Sequence, residues 1–61
     1  MPIVTIKMIE GRTDEQKRAL VEEVTKAVSS TVAAPPENVT IIIEEMEKRH
    51  YAVAGVRQSD K

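Results

Sequence analysis

The chain of 61 residues contains no cysteine, tryptophan or phenylalanine, and it has one histidine and one tyrosine. Without cysteine no disulfide can form, and a single histidine cannot supply a Cys/His set for structural zinc. A domain this small buries only about 60% of the surface that its unfolded chain exposes, so it usually needs such a staple. Self-association is the remaining route to stability, and we therefore expect an oligomer.

Charge and apolar patterning exclude several classes of partner. The formal net charge is −1, and the only aromatic side chain, Tyr51, offers no platform on which bases stack. No apolar run approaches the 18 or so residues that span a bilayer, and no signal-peptide pattern or nucleotide-binding glycine motif is visible. We expect a cytoplasmic protein that binds neither nucleic acid nor membrane, and that uses no metal and no cofactor.

Residue periodicity predicts a strand, a helix and a second strand. β-branched residues alternate from Pro2 to Ile9 and return from Val39 to Met46. Between them, Thr13 and Gln16 have the spacing of a capping box, and an apolar stripe continues until two prolines at 35 and 36 end the helix near residues 32–34. Two ion pairs at helix spacing are predicted, Asp14 with Arg18 and Glu22 with Lys26. A crossover helix forces the two strands to run parallel.

The last part of the chain predicts a short hairpin from Tyr51 to Val56, with Gly55 in its turn, and a frayed tail over residues 58–61. The fold class is therefore α/β (α+β): a βαβ subunit with two parallel strands, one long helix and a carboxy-terminal β-hairpin. This unit forms a single domain over residues 1–61. Two strands leave sheet edges and one sheet face uncovered, which again predicts an oligomer.

Few residues are candidates for catalysis or ligand binding when each is considered alone. Pro2 becomes an amino-terminal amine if Met1 is removed, and burial or nearby cations lower the pKa of such an amine toward neutrality. Taken alone, however, Pro2 is more simply the first residue of an edge strand. Arg12 has a guanidinium suited to clamping a carboxylate, although a solvated loop arginine is the simpler interpretation. His50 and the acidic run over residues 44–47 are interpreted as solvated or ion-paired side chains.

Four segments together resemble the 4-oxalocrotonate tautomerase family from end to end: Met1-Pro2-Ile3, Glu10-Gly-Arg-Thr-Asp-Glu-Gln-Lys17, Glu44-Glu-Met46 and His50-Tyr-Ala-Val-Ala-Gly55. The resemblance implies a homohexamer, built as a trimer of dimers, with a role in aromatic hydrocarbon catabolism. It implies that Pro2 converts a small enol acid to its keto form. The implied substrates are a 2-hydroxydienoate such as 2-hydroxymuconate, or a monocarboxylate enol such as phenylenolpyruvate.

The same resemblance implies three site residues: Pro2 as general base and acid, Arg12 as the carboxylate ligand, and Tyr51 in the pocket wall where the family has a phenylalanine. Thr40 departs from the family pattern, because well-studied members have a second arginine there that polarises the 2-oxo or dienolate oxygen. Loss of one such donor costs about a hundredfold or more, so we expect a weaker or different tautomerase activity. Two alternatives stay open: a hydratase or dehalogenase of the same superfamily, and a non-catalytic oligomeric binding protein with this fold.

Overall fold

The computed structural model describes residues 2–61; Met1, and with it the predicted removal of Met1, lies outside the described residues. Two strands and one helix are followed by a small hairpin of two further strands, with short 3-10 turns between the elements. In chain order the elements are β1 (Ile3–Ile9), α1 (Asp14–Val32), a turn at Pro36–Asn38, β2 (Thr40–Met46), a turn at Lys48–His50, β3 (Ala52–Val53), β4 (Val56–Arg57) and a turn at Gln58–Asp60. The predicted strand-helix-strand unit and hairpin are confirmed.

Helix α1 begins at the predicted capping box and ends at Val32, before the two prolines, as predicted. The Thr13 hydroxyl accepts a hydrogen bond from the Gln16 backbone N–H at 3.1 Å, and the Gln16 side-chain oxygen accepts one from the Thr13 N–H at 2.9 Å. This reciprocal pair is the predicted capping box. At the other end, Ala33 takes a left-handed conformation with φ of 57°. The Ser29 hydroxyl donates to the Ala34 carbonyl at 2.6 Å and stabilises the turn in which the chain leaves the helix.

One of the two predicted ion pairs on α1 is wrong. Arg18 contacts Asp14 at 3.1 Å, as predicted. Lys26, however, contacts Glu23 at 3.6 Å and not Glu22. Residues three and four positions apart are both neighbours on a helix surface, so spacing alone does not determine whether Lys26 pairs with Glu22 or with Glu23.

The prediction of a frayed tail is also wrong, because residues 58–60 form a 3-10 turn. The Arg57 guanidinium makes two hydrogen bonds to the Asp60 carboxylate, at 3.0 and 3.3 Å. The backbone N–H of Gln58 donates to the Tyr51 carbonyl at 2.8 Å and fastens the tail to the start of the hairpin.

Strands β1 and β2 pair in parallel, in a register that runs from Ile3 opposite Thr40 to Ile9 opposite Met46. Alternation places one row of side chains toward α1: Val4, Ile6, Met8, Ile41, Ile43 and Glu45. The opposite row forms what we call the open face of the sheet: Ile3, Thr5, Lys7, Ile9, Thr40, Ile42, Glu44 and Met46. Ile3 is 58% exposed and Ile42 is 43% exposed on this face.

A single subunit has no buried core. No hydrophobic side chain in residues 2–61 is fully buried. The radius of gyration is 14.5 Å, against roughly 10.5 Å for a compact domain of this length. The accessible surface is 4708 Å², against about 4,000 Å² for a folded protein of this mass. The single chain therefore leaves its open face uncovered. No helix within the described range combines the length and apolar character that a membrane crossing requires.

Candidate active site

Pro2 lies immediately before β1 and is half-buried. Its carbonyl oxygen accepts a hydrogen bond from the backbone N–H of Thr40 at 3.0 Å, so the first residue of β2 lies beside it. The Pro2 nitrogen carries no amide hydrogen and makes no contribution to the strand ladder. The sheet thus holds Pro2 through its carbonyl oxygen, and the Pro2 nitrogen takes no part in the hydrogen bonds of the sheet.

Arg12 lies in the loop between β1 and α1, where both neighbours restrict the backbone. Gly11 has φ of 127°, which residues with a side chain rarely adopt, and Thr13 caps the helix. The exposed Arg12 side chain borders a groove of about 280 Å³ on the helix side of the sheet, which we call the Arg12 groove. Its lining residues are Met8, Arg12, Gln16, Lys17 and Leu20. Small-molecule sites usually measure about 300–1,000 Å³, so this groove lies at the lower end of that range.

Tyr51 lines a second groove, at the same end of the sheet but on the open face. This groove measures about 400 Å³ and is lined by Lys7, Met8, Ile9, Met46 and Tyr51. The Tyr51 side chain is 42% exposed, and its backbone carbonyl accepts from the Gln58 N–H at 2.8 Å. Arg12 and Tyr51 therefore flank the carboxyl ends of the strands from opposite faces.

Strand β1 separates Pro2 from these two residues. A strand advances about 3.3 Å per residue, so Pro2 and Ile9 are roughly 23 Å apart, and Arg12 lies beyond Ile9. No side chain bridges that distance. One subunit therefore does not bring together the three residues that the sequence suggested, and a site holding all three needs the Pro2 end of one subunit beside the Arg12 end of another.

A model of the family described as tautomerase enzyme matches residues 2–61. This chain belongs to the tautomerase family. It is 65% identical over 60 residues to the 2-hydroxymuconate tautomerase of Bacillus subtilis (strain 168), an alignment covering 98% of this chain and 97% of that protein. Its structure matches that of YwhB, a homologue of 4-oxalocrotonate tautomerase, with a TM-score of 0.96, 63% identity and 98% of each chain covered. A heterohexamer 4-oxalocrotonate tautomerase from Chloroflexus aurantiacus J-10-fl matches with a TM-score of 0.94, 32% identity and coverage of 98% of this chain and 97% of that one.

Membership of the tautomerase family confirms the predicted fold class, and it makes the chain an isomerase. The related heterohexamer shows that a tautomerase subunit of this shape builds larger assemblies. In this chain, the open face of the sheet is uncovered and residues 2–61 contain no buried core.

The structure adds Lys17 to the Arg12 groove, which the sequence reading missed. The Lys17 ammonium contacts the Glu45 carboxylate at 2.9 Å and ties α1 to β2. In the sequence, Lys17 looks like an ordinary polar residue of a helix. The available signal was the strand alternation, because Glu45 continues the row of Ile41 and Ile43 that faces the helix.

The other candidates lie outside this groove. The Glu47 carboxylate contacts Arg49 at 2.9 Å and the imidazole Nε2 of His50 at 3.6 Å. His50 is exposed, in agreement with its interpretation as a solvated or ion-paired side chain. The candidate site residues therefore remain Pro2, Arg12 and Tyr51.

Proposed function

We propose that this tautomerase converts an enol acid to its keto isomer, with Pro2 as general base and general acid. The proposed substrates are 2-hydroxydienoates such as 2-hydroxymuconate and monocarboxylate enols such as phenylenolpyruvate. The observation that carries the proposal is the position of Pro2, which is half-buried immediately before β1 and held by its carbonyl oxygen while its nitrogen makes no hydrogen bond in the sheet. Removal of Met1 makes that nitrogen a secondary amine. A cytoplasmic location and a role in aromatic hydrocarbon catabolism stay predictions.

The chemistry needs one amine for two proton transfers. The neutral Pro2 nitrogen accepts the proton of the substrate's 2-hydroxyl group, and the O–H bonding electrons form the carbonyl. The conjugated double bond shifts, and the carbon at its far end takes a proton from the prolyl ammonium, which restores the neutral amine. Both forms of the amine have to be accessible close to neutrality, and burial or nearby cations lower the pKa of a chain-end amine in that direction. Proton transfer by a positioned group contributes about 10²- to 10⁴-fold in rate.

Arg12 binds the substrate carboxylate through two parallel hydrogen bonds, and Tyr51 forms part of the pocket wall. Because roughly 23 Å of β1 separates Pro2 from the Arg12 end, this proposal requires a site shared between subunits. The open face, with Ile3 and Ile42 exposed, offers the surface for such contacts. We therefore propose a homo-oligomer, arranged as a hexamer that is a trimer of dimers, whose subunit is one domain over residues 1–61.

The test follows enol loss spectroscopically for 2-hydroxymuconate and phenylenolpyruvate, with Met1 removal verified by mass. Pro2→Ala is expected to lose most activity, because the ring that fixes the nitrogen is gone. A synthetic chain that retains Met1 is the sharper comparison, since an acylated nitrogen is not basic and about 10²-fold or more should be lost. Unchanged rates in both, or no turnover in any protein, would contradict proline catalysis and favour a binding role. Sedimentation of each protein checks that assembly is unaltered.

A further inference from the structure

The Tyr51 side chain ends in a hydroxyl group that the fold of a single chain does not use. No hydrogen bond within residues 2–61 includes this hydroxyl. Three of the other four residues that line its groove are apolar, so a phenylalanine would pack in this wall equally well. Water solvates the hydroxyl in a single chain, but a neighbouring subunit on the open face displaces that water. A buried hydroxyl without a partner is costly, so the assembled protein has to provide one.

The backbone of Tyr51 is held at both of its polar groups. Its N–H donates to the Lys48 carbonyl at 3.4 Å, and its carbonyl accepts from the Gln58 N–H at 2.8 Å. A tyrosine ring turns about only two side-chain torsions, so a fixed backbone restricts the hydroxyl to few positions. Lys7, the other polar residue of this groove, carries its charge on a flexible stem and is paired in register with Glu44. The Tyr51 hydroxyl is thus the better oriented of the two donors.

The proposed shared site brings the end of the sheet that carries Arg12 and Tyr51 in one subunit beside the Pro2 end of another. Thr40 lies at that Pro2 end, because its backbone N–H donates to the Pro2 carbonyl at 3.0 Å. Thr40 stands where the family pattern has an arginine that polarises the substrate oxygen, and its side chain is shorter and carries no charge. The Pro2 end of this chain therefore lacks a strong donor, whereas the facing end supplies the unpaired hydroxyl of Tyr51.

We propose that Tyr51 is a catalytic residue, whose hydroxyl donates a hydrogen bond to the oxygen on carbon 2 of the substrate in place of the arginine absent at position 40. This role rests on the proposed function for its reaction. Negative charge develops on that oxygen as the Pro2 nitrogen takes its proton, and a donor already aimed at it lowers the barrier. The Tyr51 O–H bond does not break, so the two proton transfers of Pro2 are unchanged. A neutral phenol replaces a guanidinium only in part, because charge-assisted hydrogen bonds are roughly twice as strong.

The test compares steady-state kinetics on phenylenolpyruvate for wild type, Tyr51→Phe, Thr40→Arg and the double variant. Tyr51→Phe keeps the ring and removes only the hydroxyl. It is expected to lower kcat at least about tenfold with little change in KM, because the hydrogen bond strengthens as charge develops in the transition state. On the Thr40→Arg background the same change should lower kcat less than about threefold, because the arginine then supplies the donor. Lys7→Met, which removes the other donor of this groove, should lower kcat less than Tyr51→Phe does.

Three results would overturn the role of Tyr51 while leaving proline catalysis intact: wild-type kcat in Tyr51→Phe, an equal or larger loss in Lys7→Met, and an undiminished loss on the Thr40→Arg background. Absence of turnover by wild type, or full activity of a chain that retains Met1, would instead overturn the proposed function and this role with it. Sedimentation and thermal unfolding of Tyr51→Phe should match wild type, because the ring is kept. A loss of kcat that appears only together with a loss of assembly also counts against the hydroxyl.

Discussion

Mixing two inactive variants would show whether the active site is shared between subunits. Pro2→Ala removes the ring that fixes the proposed base, and Arg12→Ala removes the proposed carboxylate ligand. Within one subunit, Pro2 and Ile9 lie roughly 23 Å apart along β1, and Arg12 follows Ile9. A site contained in one subunit therefore stays defective in every mixture. A shared site is restored wherever an Arg12→Ala subunit supplies Pro2 and a Pro2→Ala subunit supplies Arg12.

The expected recovery follows from random assembly. In an equal mixture, half of the subunits supply an intact Pro2 and half supply an intact Arg12, so about one quarter of the sites contain both, whatever the size of a symmetric assembly. Pro2→Ala alone should retain about 1% of wild-type activity if proton transfer supplies a hundredfold. Arg12→Ala should retain roughly 1–10%, because a hydrogen bond to a charged group is worth about 1.5–3 kcal/mol. Recovery of about a quarter exceeds both backgrounds.

The variants are mixed in denaturant and refolded together, native mass spectrometry establishes that mixed assemblies form, and enol loss is followed by ultraviolet absorbance. A wild-type mixture with Pro2→Ala serves as the control and should retain about half of the wild-type activity, because every site then has an intact Arg12. Activity no greater than that of the parent variants, in assemblies shown to be mixed, would refute the shared site.

Two further predictions concern Thr40 and the end of α1. Thr40→Arg places a cation beside Pro2 and should raise kcat/KM for 2-hydroxymuconate at least about tenfold; an equal gain in Thr40→Gln would argue against a role of charge. Ala33→Gly should raise the free energy of unfolding by about 1 kcal/mol, because Ala33 has φ of 57°, whereas Ala27→Gly within α1 should lower it by about 1 kcal/mol. Chemical denaturation at one protein concentration measures both, and destabilisation by Ala33→Gly would show that the reasoning is wrong.

Features that depend on nearby residues were predictable from the sequence. The capping box of Thr13 and Gln16 spans three residues, and the helix ends before a proline pair, so both helix ends follow from local chemistry. The frayed tail was mispredicted because the Gln58 N–H pairs with the Tyr51 carbonyl across the hairpin. That contact joins two backbone groups, so the residue types at these positions do not reveal it.

The sequence alone determined the strands, the helix, the family and the candidate residues Pro2, Arg12 and Tyr51. Alternation, helix capping and the resemblance of short segments all depend on residues that are close together in the sequence. Only the tertiary structure placed Arg12 and Tyr51 beside grooves on opposite faces of the sheet, and only it showed that a single chain lacks a core. The pairing of Lys17 with Glu45 likewise joins residues 28 positions apart. Such relations depend on strand register and on the packing of α1 against the sheet, which periodicity within each element does not specify.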